Sequence, residues 1–187
     1  KEGAPYDLFM AANMKYPEEI YNAGLTPAPP VIYAYGKLVL WTMKKDLQPE
    51  ISKLADTSIK QIAMANPKTA PYGQAALEVL QQQKLDTAIY DKLVFGESIA
   101  QTNQFITTQA ADIGFTAMSV VLSPRMQGQG KWIAIDEGLH HPIEQGLLLL
   151  KTTDERMQLS RQFFDFLFSV SGQAILNNFG YTTVSNL

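Results

Sequence analysis

The chain has 187 residues, 46% of them apolar and 18% charged, so it can bury a hydrophobic core as one domain or as two small lobes. Its net charge of -3 and pI near 5.4, without a run of Lys or Arg, argue against a nucleic-acid or anionic-membrane surface. The lack of cysteine excludes thiol catalysis, disulfide bonds and thiolate metal sites. No apolar run approaches the ~18 residues of a membrane span.

Strands and helices alternate along the first part of the chain, which favours an α/β fold with mainly parallel sheets. Residues 7–10 predict a short strand, and residues 15–23 predict a helix that ends at Gly24. The three prolines of residues 26–30 predict a connection, because proline cannot donate a backbone hydrogen bond within a central sheet. Strands are then predicted at 31–35, 38–43 and 61–65.

The next part of the chain gives the strand, loop and helix order twice. A helix is predicted from near Tyr72, and a strand at 93–95 precedes a helix at 99–108 that Ser98 caps. Further strands are predicted at 112–116, 131–135 and 146–150, and a last helix at 172–179.

A long aromatic helix precedes that last helix. Thr153 is predicted to cap it, and its phenylalanines are predicted to pack in the core rather than around a cofactor. These are Phe163, Phe164, Phe166 and Phe168.

Two of the predicted strand–helix junctions are candidate anion sites, because a helix N-terminus presents backbone amides and the positive end of the helix dipole. At the first, Pro71 suits the first helical turn, Tyr72 offers an amide and a phenol, and Gly73 leaves room for close approach. At the second, the Ile99 amide lies at the helix start, next to Ser98. Two ordinary helix starts are the alternative interpretation.

Enzymatic chemistry has little support in this sequence. The only imidazoles are His140 and His141, and adjacent residues of an extended segment point to opposite faces. With Asp136 and Glu137 they match no zinc-ligand spacing, so a solvated turn is the better interpretation. Neither a dinucleotide fingerprint nor a phosphate-binding P-loop is present.

Four segments, in order along the chain, carry a resemblance to the periplasmic molybdate-binding proteins. Residues 2–12, Glu-Gly-Ala-Pro-Tyr-Asp-Leu-Phe-Met-Ala-Ala, resemble that family's "aGAPaDLFiSA" segment, and residues 66–80 resemble its "dPexvPaGxYAkeAL" junction. Residues 111–115, Ala-Asp-Ile-Gly-Phe, resemble its "aplGivY" strand. Residues 172–181 are similar to its C-terminal "pqAqxifxxyGF" segment.

The resemblance implies a two-lobed type II periplasmic-binding-protein fold with doubly wound mixed sheets. Lobe I would comprise residues 1–33 and 143–187, and lobe II residues 34–142. The family's first strand–helix units would precede Lys1, so lobe I would be incomplete at its N-terminus and the Ser/Thr loops of those units would lie outside this chain. Many members carry a ligand-binding tyrosine where this chain has Ala117.

The function implied is that of the extracytoplasmic capture subunit of an ABC importer, with no reaction and no cofactor. Its ligand would be a tetrahedral oxyanion, molybdate or tungstate, held between two lobes by neutral backbone and hydroxyl donors, with no protein ligand to the metal itself. By position, Tyr72 and Ile99 would be site residues, with Pro71 and Ser98 as second candidates. Closure of the lobes would signal occupancy to a membrane permease. A monomeric protein of the periplasm, or an extracytoplasmic lipoprotein, is expected, with no nucleic-acid partner.

Two alternatives share this fold. One is a binding protein for another anion, such as sulfate, phosphate or an organic anion. The other is the effector-binding domain of a transcriptional regulator. A signal or lipoprotein peptide upstream of Lys1 would favour the capture protein, and a helix-turn-helix would favour the regulator.

Overall fold

A computed structural model describes residues 5–184 of the chain. These residues divide into two compact units: unit 1 comprises the described residues up to Gly36 and from Ile143 onward, and unit 2 comprises Lys37–Pro142. Within the segment that resembles the molybdate-binding family, residues 2–4 lie outside the described residues. The predicted lobes stay a prediction: lobe I with residues 1–33 and 143–187, and lobe II with residues 34–142.

The described helices and strands follow the predicted order, apart from the short helix Met118–Val121 and the short strand Thr182–Thr183, which were not predicted, and most begin or end within a few residues of the predicted bounds. The strands are β1 (Leu8–Ala11), β2 (Val31–Gly36), β3 (Leu38–Thr42), β4 (Ile62–Ala65), β5 (Leu93–Gly96), β6 (Ile113–Ala117), β7 (Lys131–Ala134), β8 (Ile143–Leu149) and β9 (Thr182–Thr183). The α-helices are α1 (Lys15–Asn22), α2 (Pro71–Gln82), α3 (Ile99–Thr107), α4 (Met118–Val121), α5 (Asp154–Phe168) and α6 (Val170–Asn178). Short 3-10 turns occupy Ile51–Lys53, Tyr90–Lys92 and Glu137–Leu139. No described helix is long and apolar enough to cross a membrane.

Unit 1 contains a four-stranded sheet in the order β1-β8-β2-β9. Every described pairing in it is antiparallel, so the expectation of mainly parallel sheets is wrong for this unit. The expectation rests on the strand–helix–strand order, in which a crossover helix such as α1 connects two parallel neighbours. In the structure β8 lies between β1 and β2 and runs opposite to both, so each of them has an antiparallel neighbour instead. Its small core contains Tyr33, Ala34, Leu147 and Leu167.

Unit 2 contains a five-stranded mixed sheet in the order β5-β4-β6-β3-β7. The β5-β4-β6 part is parallel, with α2 and α3 as connections, and β3 pairs antiparallel with both β6 and β7. All residues of β3, β4 and β6 are buried, which is typical of central strands covered on both faces. Unit 2 therefore has the doubly wound character that the sequence predicts.

The long helix α5 is less buried than its composition predicts. Phe164 and Phe168 pack against the core of unit 1, with ring centroids 5.2 Å apart, but Phe163 and Phe166 are 46% and 41% exposed. The prediction that all four rings lie in the core is therefore wrong for two of them, because one helical face cannot hold residues at every spacing. Thr153 occupies the N-cap position of α5 without a side-chain capping bond.

Candidate functional site

The first candidate junction lies between β4 and α2. The Asn66 amide donates to the Gly96 carbonyl at 2.8 Å, and the Asn66 carbonyl accepts from the amides of Thr69 at 3.1 Å and Ala70 at 2.9 Å. The helix then begins at Pro71, and its N-cap residue Ala70 is extended and offers no side-chain cap. An N-cap side chain commonly accepts a hydrogen bond from an amide in the first turn of a helix. The first turn of α2 has no such cap, because alanine carries no acceptor.

Gly73 fixes the position of this helix start. A Cβ at Gly73 would lie 2.2 Å from the carbonyl oxygen of Ala65, the last residue of β4. The close approach predicted at Gly73 is therefore made by the protein's own backbone. The absence of a side chain lets α2 pack directly against the end of β4.

Tyr72 is buried at 6% exposure and interacts with another group within the described part of the chain. It is the second residue of α2, so its amide belongs to the first helical turn. The predicted roles of its amide and phenol in ligand binding stay predictions, as does that of Pro71.

The second candidate junction, between β5 and α3, is capped as the sequence predicts. The Ser98 hydroxyl oxygen accepts from the Gln101 amide at 3.2 Å, and the Gln101 side-chain oxygen accepts from the Glu97 amide at 2.7 Å. This reciprocal arrangement resembles a capping box, so Ser98 has a structural role whether or not it also contacts a solute. Within residues 5–184, the Ile99 amide has no hydrogen-bond acceptor. The first turn of α3 thus keeps a donor that can bind an anion.

Sequence reasoning missed the close contact between Gly96 and Thr102 at this junction. A Cβ at Gly96 would lie 2.6 Å from the Thr102 hydroxyl oxygen and 2.8 Å from the Thr102 amide nitrogen. Thr102 is fully buried, and both its hydroxyl and its amide donate to the Ser98 carbonyl at 3.0 Å. The glycine after an apolar strand was the available signal, but its contact lies six residues away and becomes visible only in the folded chain.

The sheet brings the two junctions to one edge of unit 2. β4 and β5 are parallel, with Ala65 opposite Gly96, so the carboxyl ends of both strands and the helix starts after them lie at the same edge. β6 is also parallel to β4 and ends there at the buried Ala117. In open α/β sheets this edge is where ligands bind.

Charge at this edge is sparse. Lys68 and Glu97 lie in the two loops, and neither side chain has an ion-pair partner within the described residues. Lys68 is the only cationic residue of these two loops, 66–70 and 97–98, both of which the structure describes. The site can hold an anion through backbone amides and the positive ends of two helices.

The opposite end of the same sheet is held by Asp112. Its carboxylate accepts from the amides of Lys60 at 2.6 Å and Gln61 at 3.0 Å and pairs with the Lys44 ammonium. Burial raises the pKa of the Asp112 carboxyl, but the Lys44 hydrogen bond and the two amides outweigh burial and hold that pKa below its ordinary value. Asp112 thus fixes the start of β6, far along the strand from the candidate site.

The two histidines do not form a metal site. Among the described residues, no group of three or more His, Asp or Glu side chains could hold a metal ion. His140 is buried, with its Nδ1 atom 2.7 Å from the His141 carbonyl oxygen, so the prediction of a solvated turn is wrong for His140. The His141 ring is exposed and lies 3.1 Å from the Glu78 carboxylate of α2.

The chain resembles known binding proteins over nearly its whole length. Residues 1–182 match the family described as bacterial extracellular solute-binding proteins. The chain belongs to this family. A molybdate-binding protein of Rhodobacter capsulatus is 34% identical to it over 183 residues, which are 97% of this chain and 71% of that protein.

Two solved structures of solute-binding proteins share the fold. The periplasmic molybdate-binding protein of Azotobacter vinelandii superposes with a TM-score of 0.87 and 32% identity, covering 96% of this chain and 79% of that one. A substrate-binding domain from Clostridium difficile, whose name assigns it to a molybdenum ABC transporter, superposes with a TM-score of 0.75 and 28% identity. That match covers 98% of this chain and 79% of the other. The predicted type II periplasmic-binding-protein fold is therefore confirmed.

Proposed function

We propose that this solute-binding protein captures molybdate or tungstate for an ABC importer. The observation that carries the proposal is the parallel pairing of β4 and β5, which places the starts of α2 and α3 side by side at one edge of unit 2. Two relatives with 34% and 32% identity are molybdate-binding proteins by name, which favours a tetrahedral oxyanion over other solutes.

Neutral donors explain how an acidic chain can bind such an anion. The chain carries a net charge of -3, so its overall field does not attract an oxyanion. Helix N-termini bind anions through backbone amides without a compensating cation. In this proposal Tyr72 and Ile99 supply amide donors, and Pro71 and Ser98 flank them. Pro71 presets the first turn of α2, and Ser98 keeps the first turn of α3 ordered.

The proposed partners follow from the same role. The solute is the metal as its oxyanion, so the protein needs neither a cofactor nor side-chain ligands to molybdenum or tungsten. Capture outside the cytoplasm, in the periplasm or on a lipoprotein anchor, precedes delivery to a membrane permease. The protein acts as a monomer and catalyses no reaction.

A thermal-shift titration tests the choice of ligand. Molybdate, tungstate, sulfate and phosphate are each added to the protein at neutral pH. A ligand at about 1,000 times its dissociation constant stabilises the fold by about 4 kcal/mol. Molybdate and tungstate should raise the melting temperature at concentrations where sulfate and phosphate do not. A shift with sulfate or phosphate alone would reassign the ligand, and no shift with any of the four would contradict oxyanion capture.

A further inference from the structure

A cleft of about 660 Å³ lies on unit 2 beside the outer edge of its sheet. Its apolar walls come from the loop after β4, from α2, and from β5 with the turn before it. The residues of these walls are Pro67, Leu77, Tyr90, Leu93 and Phe95. All belong to unit 2, and none is a proposed ligand-binding residue.

Two aromatic side chains of this cleft are held in an exposed position. Tyr90 is 65% exposed in the turn before β5, and Phe95 is 40% exposed within β5. β5 is an edge strand, since its only described partner is β4. Exposed aromatic residues in a concave surface are typical anchors of protein interfaces, because they bury a large apolar area with few rotatable bonds.

The charges around the cleft favour a basic partner. Asp86 and Glu97 line it together with a single cation, Lys68. None of the three has an ion-pair partner within residues 5–184. The local excess of carboxylates attracts an apolar segment that carries Arg or Lys, and opposes an acidic one.

The cleft is joined to the proposed anion site through shared loops. Asn66 and Glu97 line the cleft, and each lies in the short loop that leads into α2 or α3. The hydrogen bond from the Asn66 amide to the Gly96 carbonyl ties the two loops together. A partner seated in the cleft would therefore touch the segments that carry the donors for the solute.

We propose that this cleft is the surface by which unit 2 docks on the membrane permease, with Tyr90 and Phe95 as anchors for an apolar segment bearing a basic side chain. The inference rests on the proposed function, because that function supplies the permease as partner. The anchors Tyr90 and Phe95 lie outside the loops and helix starts of the anion site, so docking and solute binding can be separated by mutation.

The test uses the importer's membrane complex in proteoliposomes and a doubly truncated binding protein, Tyr90→Ala with Phe95→Ser. Binding to the vesicles is measured by co-flotation, and stimulation of ATP hydrolysis is measured with molybdate-loaded protein. The double variant should need at least a tenfold higher concentration for half-maximal effect in both assays. Its affinity for molybdate should equal that of the wild type. Tyr21→Ala is the matched control, because Tyr21 is 41% exposed on unit 1 and should change neither assay.

A charge reversal tests the partner's chemistry. Asp86→Lys should weaken association, and the loss should shrink at high salt, while the exposed control Asp165→Lys on α5 should have no effect. Wild-type association of the double variant would overturn the docking surface. A wild-type protein that does not bind the membrane complex would overturn the permease as occupant. A protein that binds the vesicles through this cleft but no oxyanion would support the docking surface and contradict only the proposed ligand.

Discussion

Replacing Ile99 by proline removes one backbone amide from the candidate site without removing a helix hydrogen bond. Ile99 is the first residue of α3, where the fixed φ of proline fits. Ser98 before it has φ -149° and ψ 163°, an extended conformation that suits the residue preceding proline. The Ile99 amide has no acceptor within the described residues, so the substitution leaves the backbone hydrogen bonds of α3 intact.

The expected effect is weaker oxyanion binding with little loss of stability. A hydrogen bond to a charged group contributes about 1.5–3 kcal/mol, which corresponds to a loss of affinity of about 10- to 150-fold. Ile99→Ala is the matched control, because it also truncates the side chain but keeps the amide. Isothermal titration calorimetry with molybdate measures both affinities, and far-UV circular dichroism with thermal melting checks that both variants fold. Equal affinities of the proline and alanine variants would refute the role of this amide.

Three further substitutions test the framework of the site. Gly73→Ala places a Cβ 2.2 Å from the Ala65 carbonyl oxygen, so urea denaturation should show a loss of about 1–3 kcal/mol, and a variant as stable as the wild type would contradict the close packing. Asp112→Asn should destabilise the protein at pH 7 by about 1–3 kcal/mol. Because the folded-state pKa of Asp112 is depressed, its stabilisation is present above the ordinary value of 3.8 and lost as pH falls below it. The difference between wild type and variant should therefore shrink in urea titrations near pH 3, and a difference independent of pH would reject the Lys44 pair as its cause. Leu147→Ala, at a fully buried position of unit 1, should cost about 2–5 kcal/mol in the same assay, and a smaller loss would show a poorly packed core.

Local features of the fold were predictable from the sequence because they depend on neighbouring residues. Pro71 marks the first turn of α2, and Ser98 was predicted to cap the helix that it caps in the structure. Gly24, with φ +71°, follows the C-cap residue of α1 and stops the helix, as the sequence predicts. Each of these signals is complete within a few residues.

Features that join distant segments were not predictable. The insertion of β8 between β1 and β2 depends on pairings across more than a hundred residues, which no local pattern reports. Asp112 bonds to Lys60 and Gln61, about fifty residues earlier in the chain. The exposure of Phe163 likewise depends on which face of α5 meets the core. The candidate site was predictable in part. The two helix starts were predicted, but the close backbone contacts at Gly73 and Gly96 that position them were not.

In the proposed function, this protein binds molybdate or tungstate at a single site. Isothermal titration calorimetry of the protein with molybdate measures this directly, followed by a displacement titration with tungstate and a parallel titration with sulfate. We expect saturable binding of one molybdate per chain, displacement by tungstate, and much weaker binding of sulfate. Binding of sulfate with equal or greater affinity, or the absence of saturable binding of molybdate and tungstate, would contradict it.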